Sequence, residues 1–402
     1  MKPSPYEQLS GEQGRALLAG LTAYKEERIT DAAAYARSRV EPDLAAAALA
    51  TAFARRRANA GGKFSHAGAM LFTREGYEQA TSEAVANHRA ERFEGFQRVA
   101  DLCCGIGSDT IALANAATLV VAVDLDSDAL ACARANVAAL GVGANVLTTQ
   151  ADALEVDLRR CDAAFADPSR RPGGIRLRRA ARYAPPIESL LSRAAELPGS
   201  RLAVKVAPGL DFEDQHWKAH LLAAPLEIEV VSEGGTCKEA VFWCGELARR
   251  DGARRATVID EAGVHILDGD PAAPVQPRAL GSHIGEPDPA VIRAGLIAAA
   301  CAVTDSGPVD TRVGYLTADT PPTSPFVRWY PLIDAMPFNV KHVRAALRSR
   351  RIGNLIVKVR AFPLKPEEII SLLKPTGDER ATLICATFGK KKWALLCGTV
   401  GA

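Results

Sequence analysis

Four aspartates and a pair of glycines carry the chemistry legible in this sequence. In the run Asp101-Leu-Cys-Cys-Gly105-Ile-Gly107-Ser-Asp109, an apolar segment beginning at Val99 enters a glycine-rich turn and leaves it as a helix. Gly105 and Gly107 let the backbone turn sharply and approach a ligand closely. A nucleotide then packs against the turn and the helix N-terminus. Thr110 stands where a dinucleotide fingerprint has its third glycine. Asp101, ahead of the turn, repels a pyrophosphate and attracts an ammonium such as that of a methionine moiety. Asp124 ends the next apolar run, nineteen residues after Gly105, where a carboxylate accepts hydrogen bonds from both ribose hydroxyls. Asp126 or Ser127 caps the helix that follows. Asp152, in Gln-Ala-Asp-Ala-Leu, lies where a loop from a third strand meets an adenine ring, with loop capping as the plainer reading. Asp167 and Pro168 open Asp-Pro-Ser-Arg-Arg at the end of a fourth strand, the place from which a second reactant is held.

Such an arrangement needs strands whose carboxyl ends meet along one edge. From Val99 to about Gly245, short apolar runs alternate with helical ones. This predicts an α/β fold with a Rossmann-like, doubly wound parallel sheet covered on both faces. The last two runs, joined around Gly234–Gly235, predict an antiparallel hairpin that closes the sheet. Residues 1 to about 60 are alanine- and leucine-rich with helical spacing, and a further helix is expected from Thr73, its N-cap, to Arg92. After Glu246 the chain reads as irregular apart from one helix, PAVIRAGLIAAACAV, and the end alternates helix and strand as a small α+β module. The expected domains are 1–95, helical; 96–246, the doubly wound sheet; 247–322, a connecting α+β subdomain; and 323–402, the terminal module.

The 402 residues are 48% hydrophobic and 24% charged, the balance of a globular protein with a core that needs no staples. Nine cysteines without a C-x-x-C pair or zinc spacing suit a reducing compartment and predict no metal. Without an apolar leader or a membrane-length stretch, the expectation is a cytoplasmic protein, and with nothing to suggest an obligate dimer, a monomer. The net charge of +2 hides an asymmetry: from Arg328 onward there are fourteen Lys and Arg against five Asp and Glu. A basic module on an otherwise acidic chain suggests a polyanionic partner. A second basic stretch, Arg170-Arg171-Pro-Gly-Gly-Ile-Arg176-Leu-Arg178-Arg179-Ala-Ala-Arg182, follows the fourth motif and is suited to cradling phosphates.

Taken in order and spacing, DLCCGIGSD, VDLD, ADA and DPSRR resemble the four motifs of the class I S-adenosylmethionine-dependent methyltransferases, over about Phe93 to Gly245. That resemblance implies S-adenosylmethionine as cofactor, bound by Asp101, Cys103, Gly105, Gly107, Asp124 and Asp152. The segment FTREGYEQATSEAVANHRAERF resembles one in the trimethylguanosine-synthase-like RNA methyltransferases. It adds Thr73 to the cofactor set, with Arg74 and Gln79 beside it. Amine-directed relatives carry Asp/Asn-Pro-Pro followed by an aromatic. This chain keeps Asp167 and Pro168 but has Ser169 for the second proline and, for the aromatic, Arg170, a planar cation able to stack on a base. The last seventy or so residues resemble a THUMP-like domain, an RNA-associated module, with Lys341, Arg344 and Arg348 at helical spacing and Lys390, Lys391 and Lys392 near a turn.

The expected reaction is direct in-line displacement at the sulfonium methyl, the enzyme supplying proximity and orientation. Asp167 and Pro168 are the expected catalytic residues, and Ser169, Arg170 and Arg171 the expected substrate contacts. The acceptor this implies is structured RNA, tRNA or rRNA. A small molecule or protein acceptor, or a cofactor-binding RNA chaperone without turnover, remains an alternative.

Overall fold

The computed structural model describes residues 3–170, 183–221 and 224–399. The chain divides into two compact units, Met1–Glu227 with Glu239–Gly252 and Ile228–Lys238 with Ala253–Ala402.

The first unit begins with four helices, α1 (Pro5–Leu9), α2 (Glu12–Leu21), α3 (Ile29–Arg37) and α4 (Pro42–Ala60). Ser4 and Glu7 form a capping box at the start of α1, and Pro42 opens α4 at a position where its missing N–H costs nothing. The buried face of α4 is largely alanine, so its neighbours approach closely, and its core continues into Ile106, Ala131 and Cys132. Two short helices follow, α5 (Arg74–Gln79) and α6 (Glu83–Ala90). The single helix expected from Thr73 to Arg92 is broken between them, with Ala80 at φ −55°, ψ 140° and Ser82 at φ −67°, ψ 153°. The extended backbone turns the Thr81 hydroxyl into the interior, where it donates to Asp109. That buried hydrogen bond outweighs local helix propensity.

Next come β1 (Arg98–Leu102), α7 (Ser108–Ala116), β2 (Leu119–Asp124), α8 (Ser127–Ala139), β3 (Val146–Gln150) and β4 (Ala163–Ala166). Two two-residue strands, β5 (Ser169–Arg170) and β6 (Tyr183–Ala184), pair with each other. After α9 (Ile187–Ser192) come β7 (Leu202–Val206), α10 (Gln215–Lys218), β8 (Leu226–Glu233) and β9 (Thr236–Cys244). Within this unit the strands lie in the order β9-β7-β4-β1-β2-β3. All neighbours are parallel except β9, which runs against β7. Succession runs outward from β1 on one side and resumes at β4 on the other. The crevice between β1 and β4 is therefore the switch point at which such sheets take ligands.

In the second unit β8 pairs in parallel with β10 (Arg254–Asp260), and β10 pairs with β11 (Gly263–Gly269) as an antiparallel hairpin. The segment after Glu246 thus holds a hairpin over residues 254–269 where an irregular chain was expected, while residues 270–282 carry no helix or strand. Nor is β8 the edge that a closing hairpin would make it. The two arginines that open β10 disguise it, because both are buried. Arg255 is held by Asp268 of β11 at 2.7 Å.

Then follow β12 (His283–Pro287), α11 (Pro289–Ala294), α12 (Ile297–Thr304), β13 (Gly307–Pro308), β14 (Leu316–Ala318), β15 (Val327–Pro337), α13 (Val340–Ser349), β16 (Ile352–Arg360), α14 (Pro366–Leu373), β17 (Glu379–Phe388) and β18 (Lys391–Cys397). The one helix expected over residues 289–303 is two, separated at Gly295, whose φ of +77° ends α11. These strands form a sheet ordered β13-β14-β12-β15-β18-β17-β16. Its parallel pair, β16 and β17, is joined through α14. Val343 and Leu347 of α13 and Ile369 and Leu373 of α14 share one core with Leu383 and Leu396 of that sheet.

Candidate active site

The register of the parallel strands brings the motif residues to one edge. Leu102 lies opposite Ala166, and the Asp167 N–H donates to the Leu102 carbonyl at 3.1 Å. Gln150 lies opposite Asp124, and the Ala151 N–H donates to the Asp124 carbonyl.

Between β1 and α7 the backbone leaves the usual right-handed regions three times, at Cys103 (φ +61°), Gly105 (φ +55°) and Gly107 (φ +84°). A Cβ at Gly105 would meet nothing within 4 Å, whereas one at Gly107 would press on the Ala133 backbone at 3.1 Å. Gly107 therefore lets α8 pack against the loop, and Gly105 keeps the loop's open side free. The Gly105 N–H donates to Asp124 Oδ2 at 2.8 Å, and the Asp126 N–H donates to Asp124 Oδ1 at 2.9 Å. Asp124 thus holds the glycine loop to the end of β2, and the four acceptor sites of a carboxylate outnumber the amides that reach it. Asp126 caps α8 through the Asp128 and Ala129 amides.

The four aspartates gather around Cys103. Burial raises its thiol well above the ordinary range, and Asp124, Asp167, Asp101 and Asp152 add to the effect in that order. Asp101 is fully buried. Its Oδ2 accepts from the Thr110 hydroxyl at 2.5 Å, and its Oδ1 has no hydrogen-bond partner among the described residues. Burial, with Asp109 beside it, pushes this carboxyl up to about 8 against the Thr110 hydrogen bond. Asp152 caps its own loop, accepting from the Leu154 N–H at 2.8 Å. Thr73 is spent similarly: its hydroxyl accepts from the Gly76 N–H at 2.8 Å. Gly76 lies so close to Ile106 that a Cβ would stand 2.4 Å from its methyl group, which places α5 against the glycine loop. Arg74 and Gln79 are exposed.

At Asp167 the structure adds residues that sequence reasoning missed. Lys205, in the middle of β7, donates to Asp167 Oδ2 at 2.7 Å and to the Thr81 hydroxyl at 2.9 Å. Glu239 of β9 lies 3.9 Å from the same ammonium. Behind them the buried Arg89 of α6 pairs with both Asp109 and Glu239 and lies over the Phe165 ring at 4.5 Å. Burial works against the Lys205 charge, but Asp167, Glu239 and Asp109 hold its pKa above the ordinary value. The signal was present in the sequence: a lysine inside Leu-Ala-Val-Lys-Val is a charge within a buried strand, and such charges are paired.

Pro168 is buried. The Ser169 hydroxyl donates to the Ala184 carbonyl at 3.3 Å in the short β5–β6 ladder. Arg171, with Arg176, Arg178, Arg179 and Arg182, lies outside the described residues, as does the side chain of Arg170. A separate cavity of about 520 Å³, bordered by Phe64, His66, Met70 and Asn115, is lined by none of the candidate residues. Among the described residues no cluster of His, Cys, Asp and Glu has the makings of a metal site, and no helix is long and apolar enough to cross a membrane.

In the terminal module, eleven of the fourteen Lys and Arg after Val327 are exposed, among them Lys341, Arg348, Lys390, Lys391 and Lys392. Arg344 is drawn off that face, because its guanidinium donates to the Leu372 and Leu373 carbonyls at the end of α14.

Comparison with known proteins gives three family matches: a methyltransferase domain over residues 99–169, a THUMP domain-like module over residues 327–399 and a domain of unknown function over residues 5–58. Two proteins of Mycobacterium tuberculosis, from strains CDC 1551 / Oshkosh and ATCC 25618 / H37Rv, are each 34% identical over 319 residues. Those residues cover 79% of this chain and 85% of theirs, and both proteins are described as uncharacterized S-adenosylmethionine-dependent methyltransferases. The crystal structure of a putative methyltransferase from Porphyromonas gingivalis W83 shares the fold at a TM-score of 0.72 and 19% identity, over 93% of this chain and 99% of that one.

Proposed function

The chain belongs to the class I S-adenosylmethionine-dependent methyltransferases, and on that premise we propose that its methyl acceptor is structured RNA, either tRNA or rRNA. S-Adenosylmethionine supplies a methyl group already activated by its sulfonium, so the protein's work is binding and orientation.

The residues present fit that cofactor. The buried Oδ1 of Asp101, unpartnered among the described residues, would receive the methionine ammonium. The remaining acceptor capacity of Asp124 would receive the ribose hydroxyls, and Asp152 the adenine amine. The open face of Gly105 beside Cys103 leaves room for the ligand, and Gly107 and Thr73 shape the loop and α5 that border it. Asp167 and Pro168 would hold the acceptor, with Ser169, Arg170 and Arg171 next along the chain.

The observation that carries the RNA reading is the terminal module: a THUMP domain-like match coincides with fourteen Lys and Arg against five Asp and Glu. Most of those cations are exposed. Phosphate neutralisation by such a surface dominates nucleic-acid affinity. A small-molecule or protein acceptor is the second reading, favoured by the absence of a base-stacking ring after Pro168, where Ser169 takes the place of the second proline and Arg170 that of the aromatic. The nine free cysteines suit the cytoplasm, where we place the protein as a monomer.

The test is transfer of radiolabelled methyl from S-adenosylmethionine into total RNA from a strain lacking the gene. Label in a discrete RNA band is expected, and Asp167→Ala abolishes it while S-adenosylhomocysteine still binds. Cofactor binding without label in any RNA band turns the assignment to the second reading.

A further inference from the structure

Lys205 bears on which atom accepts the methyl group. Two of its three N–H groups are used, on Asp167 Oδ2 at 2.7 Å and on the Thr81 hydroxyl at 2.9 Å. Glu239, at 3.9 Å, is beyond hydrogen-bond reach, so among the described residues nothing takes the third N–H, which is available to a ligand held at Asp167. The Lys205 side chain is 13% exposed and that of Asp167 28%, so the pair is reachable from solvent. Arg89 and Thr81 fix its surroundings from the side of α6 and the α5–α6 break.

An ammonium in this position discriminates between acceptors. A neutral amine nitrogen becomes more positive as it bonds to the methyl carbon, and a neighbouring ammonium opposes that change. A hydroxyl oxygen sheds its proton as the new bond forms, and the ammonium stabilises the negative charge that develops on oxygen. Arg170 stands where amine-directed relatives have their base-stacking aromatic.

Resting on the RNA reading above, we infer that the acceptor atom is a ribose 2′-hydroxyl oxygen and that Lys205 is a catalytic residue beside Asp167. As the hydroxyl proton leaves for the Asp167 carboxylate, a lone pair of the oxygen, on which negative charge is developing, forms the bond to the methyl carbon. The carbon–sulfur bond breaks with its electron pair kept on sulfur, and the Asp167 carboxyl returns the proton to solvent. The products are 2′-O-methylribose and S-adenosylhomocysteine. Lys205 stays charged throughout, as its carboxylate neighbours favour.

Alkaline hydrolysis of the labelled RNA tests the acceptor. A 2′-O-methyl group blocks cleavage of the adjacent phosphodiester, so the label is expected in alkali-resistant dinucleotides. Label in mononucleotides overturns this inference and leaves the RNA reading standing. Absence of label from RNA overturns both. For Lys205, Lys205→Met removes charge and hydrogen bonds together, and Lys205→Gln keeps an amide donor without the charge. Both are expected to slow transfer about 100-fold or more while S-adenosylhomocysteine affinity, measured by calorimetry, stays at the wild-type value. If the methionine variant fails to bind, the glutamine variant decides. Transfer at the wild-type rate by a Lys205→Gln protein overturns the catalytic role.

Discussion

At the scale of single residues, Asp101 has the most measurable consequences. Its carboxyl is pushed from 3.8 to about 8 in the folded chain, chiefly by burial. Between those two pH values the unfolded chain has released a proton that the folded chain retains. Stability is therefore lost as pH rises through that window, and below it Asp101 contributes no pH dependence. Asp101→Asn fixes the neutral form. In thermal melts without cofactor, its Tm is expected to match the wild type near pH 4 and to exceed it by a growing margin up to pH 9. An equal offset at every pH would remove Asp101 as the source. Calorimetry on the same variant tests the binding role. Losing a charged hydrogen bond, about 1.5–3 kcal/mol, weakens S-adenosylmethionine binding by roughly 10- to 100-fold. The aspartates were legible because each ends an apolar strand run or opens a turn, and that position is written in the sequence itself. Lys205 signalled itself as a charge inside an apolar strand run, but the partners of Lys205, Arg89 and Glu239 were not legible, because they lie far away along the chain. Glu239 follows Arg89 by 150 residues, and the pairing of β7 with β9 is what brings Glu239 beside Lys205.

Among the elements, the turn from β1 to α7 holds the most constraint in the fewest residues. Gly107 combines a left-handed backbone with an approach to Ala133 that leaves a Cβ only 3.1 Å from its backbone. A side chain there costs once in backbone strain, about 1–2 kcal/mol, and again in displacing α8. Gly107→Ala is therefore expected to lower stability by at least about 1 kcal/mol in urea titration. It should also weaken cofactor binding, because α8 and the loop move together. Stability reduced with affinity unchanged would separate the loop from the site. The strand–helix alternation that predicted this turn depends on apolar runs bounded by polar ones, and where that contrast is clean the elements appear at their expected places. It failed where local propensity was overruled. The helix expected from Thr73 breaks so that Thr81 reaches Asp109, and β10 begins with two buried arginines that read as a solvated segment. In both cases a long-range polar partner decides the local structure, and no window of a dozen residues contains it.

For the whole molecule, the governing quantity is the uneven distribution of charge. A net charge of +2 predicts little about partners, yet the terminal module alone carries a surplus of nine positive charges, fourteen against five. Lys390, Lys391 and Lys392, at the turn between β17 and β18, are exposed and take part in none of the ion pairs that hold Arg350 to Asp334 and Arg351 to Asp378. Replacing all three with alanine should leave the fold and S-adenosylmethionine affinity intact, since neither the module's core nor the crevice uses them. If they lie on the RNA path, each phosphate that is no longer neutralised lowers the slope of log affinity against log salt by roughly 0.7 to 0.9. The triple variant is then expected to bind the substrate RNA more weakly at low salt and to approach the wild type as salt rises. A slope identical to the wild type would move the RNA path off this turn, and a wild-type protein with no salt dependence would remove phosphate recognition as the basis of its selectivity.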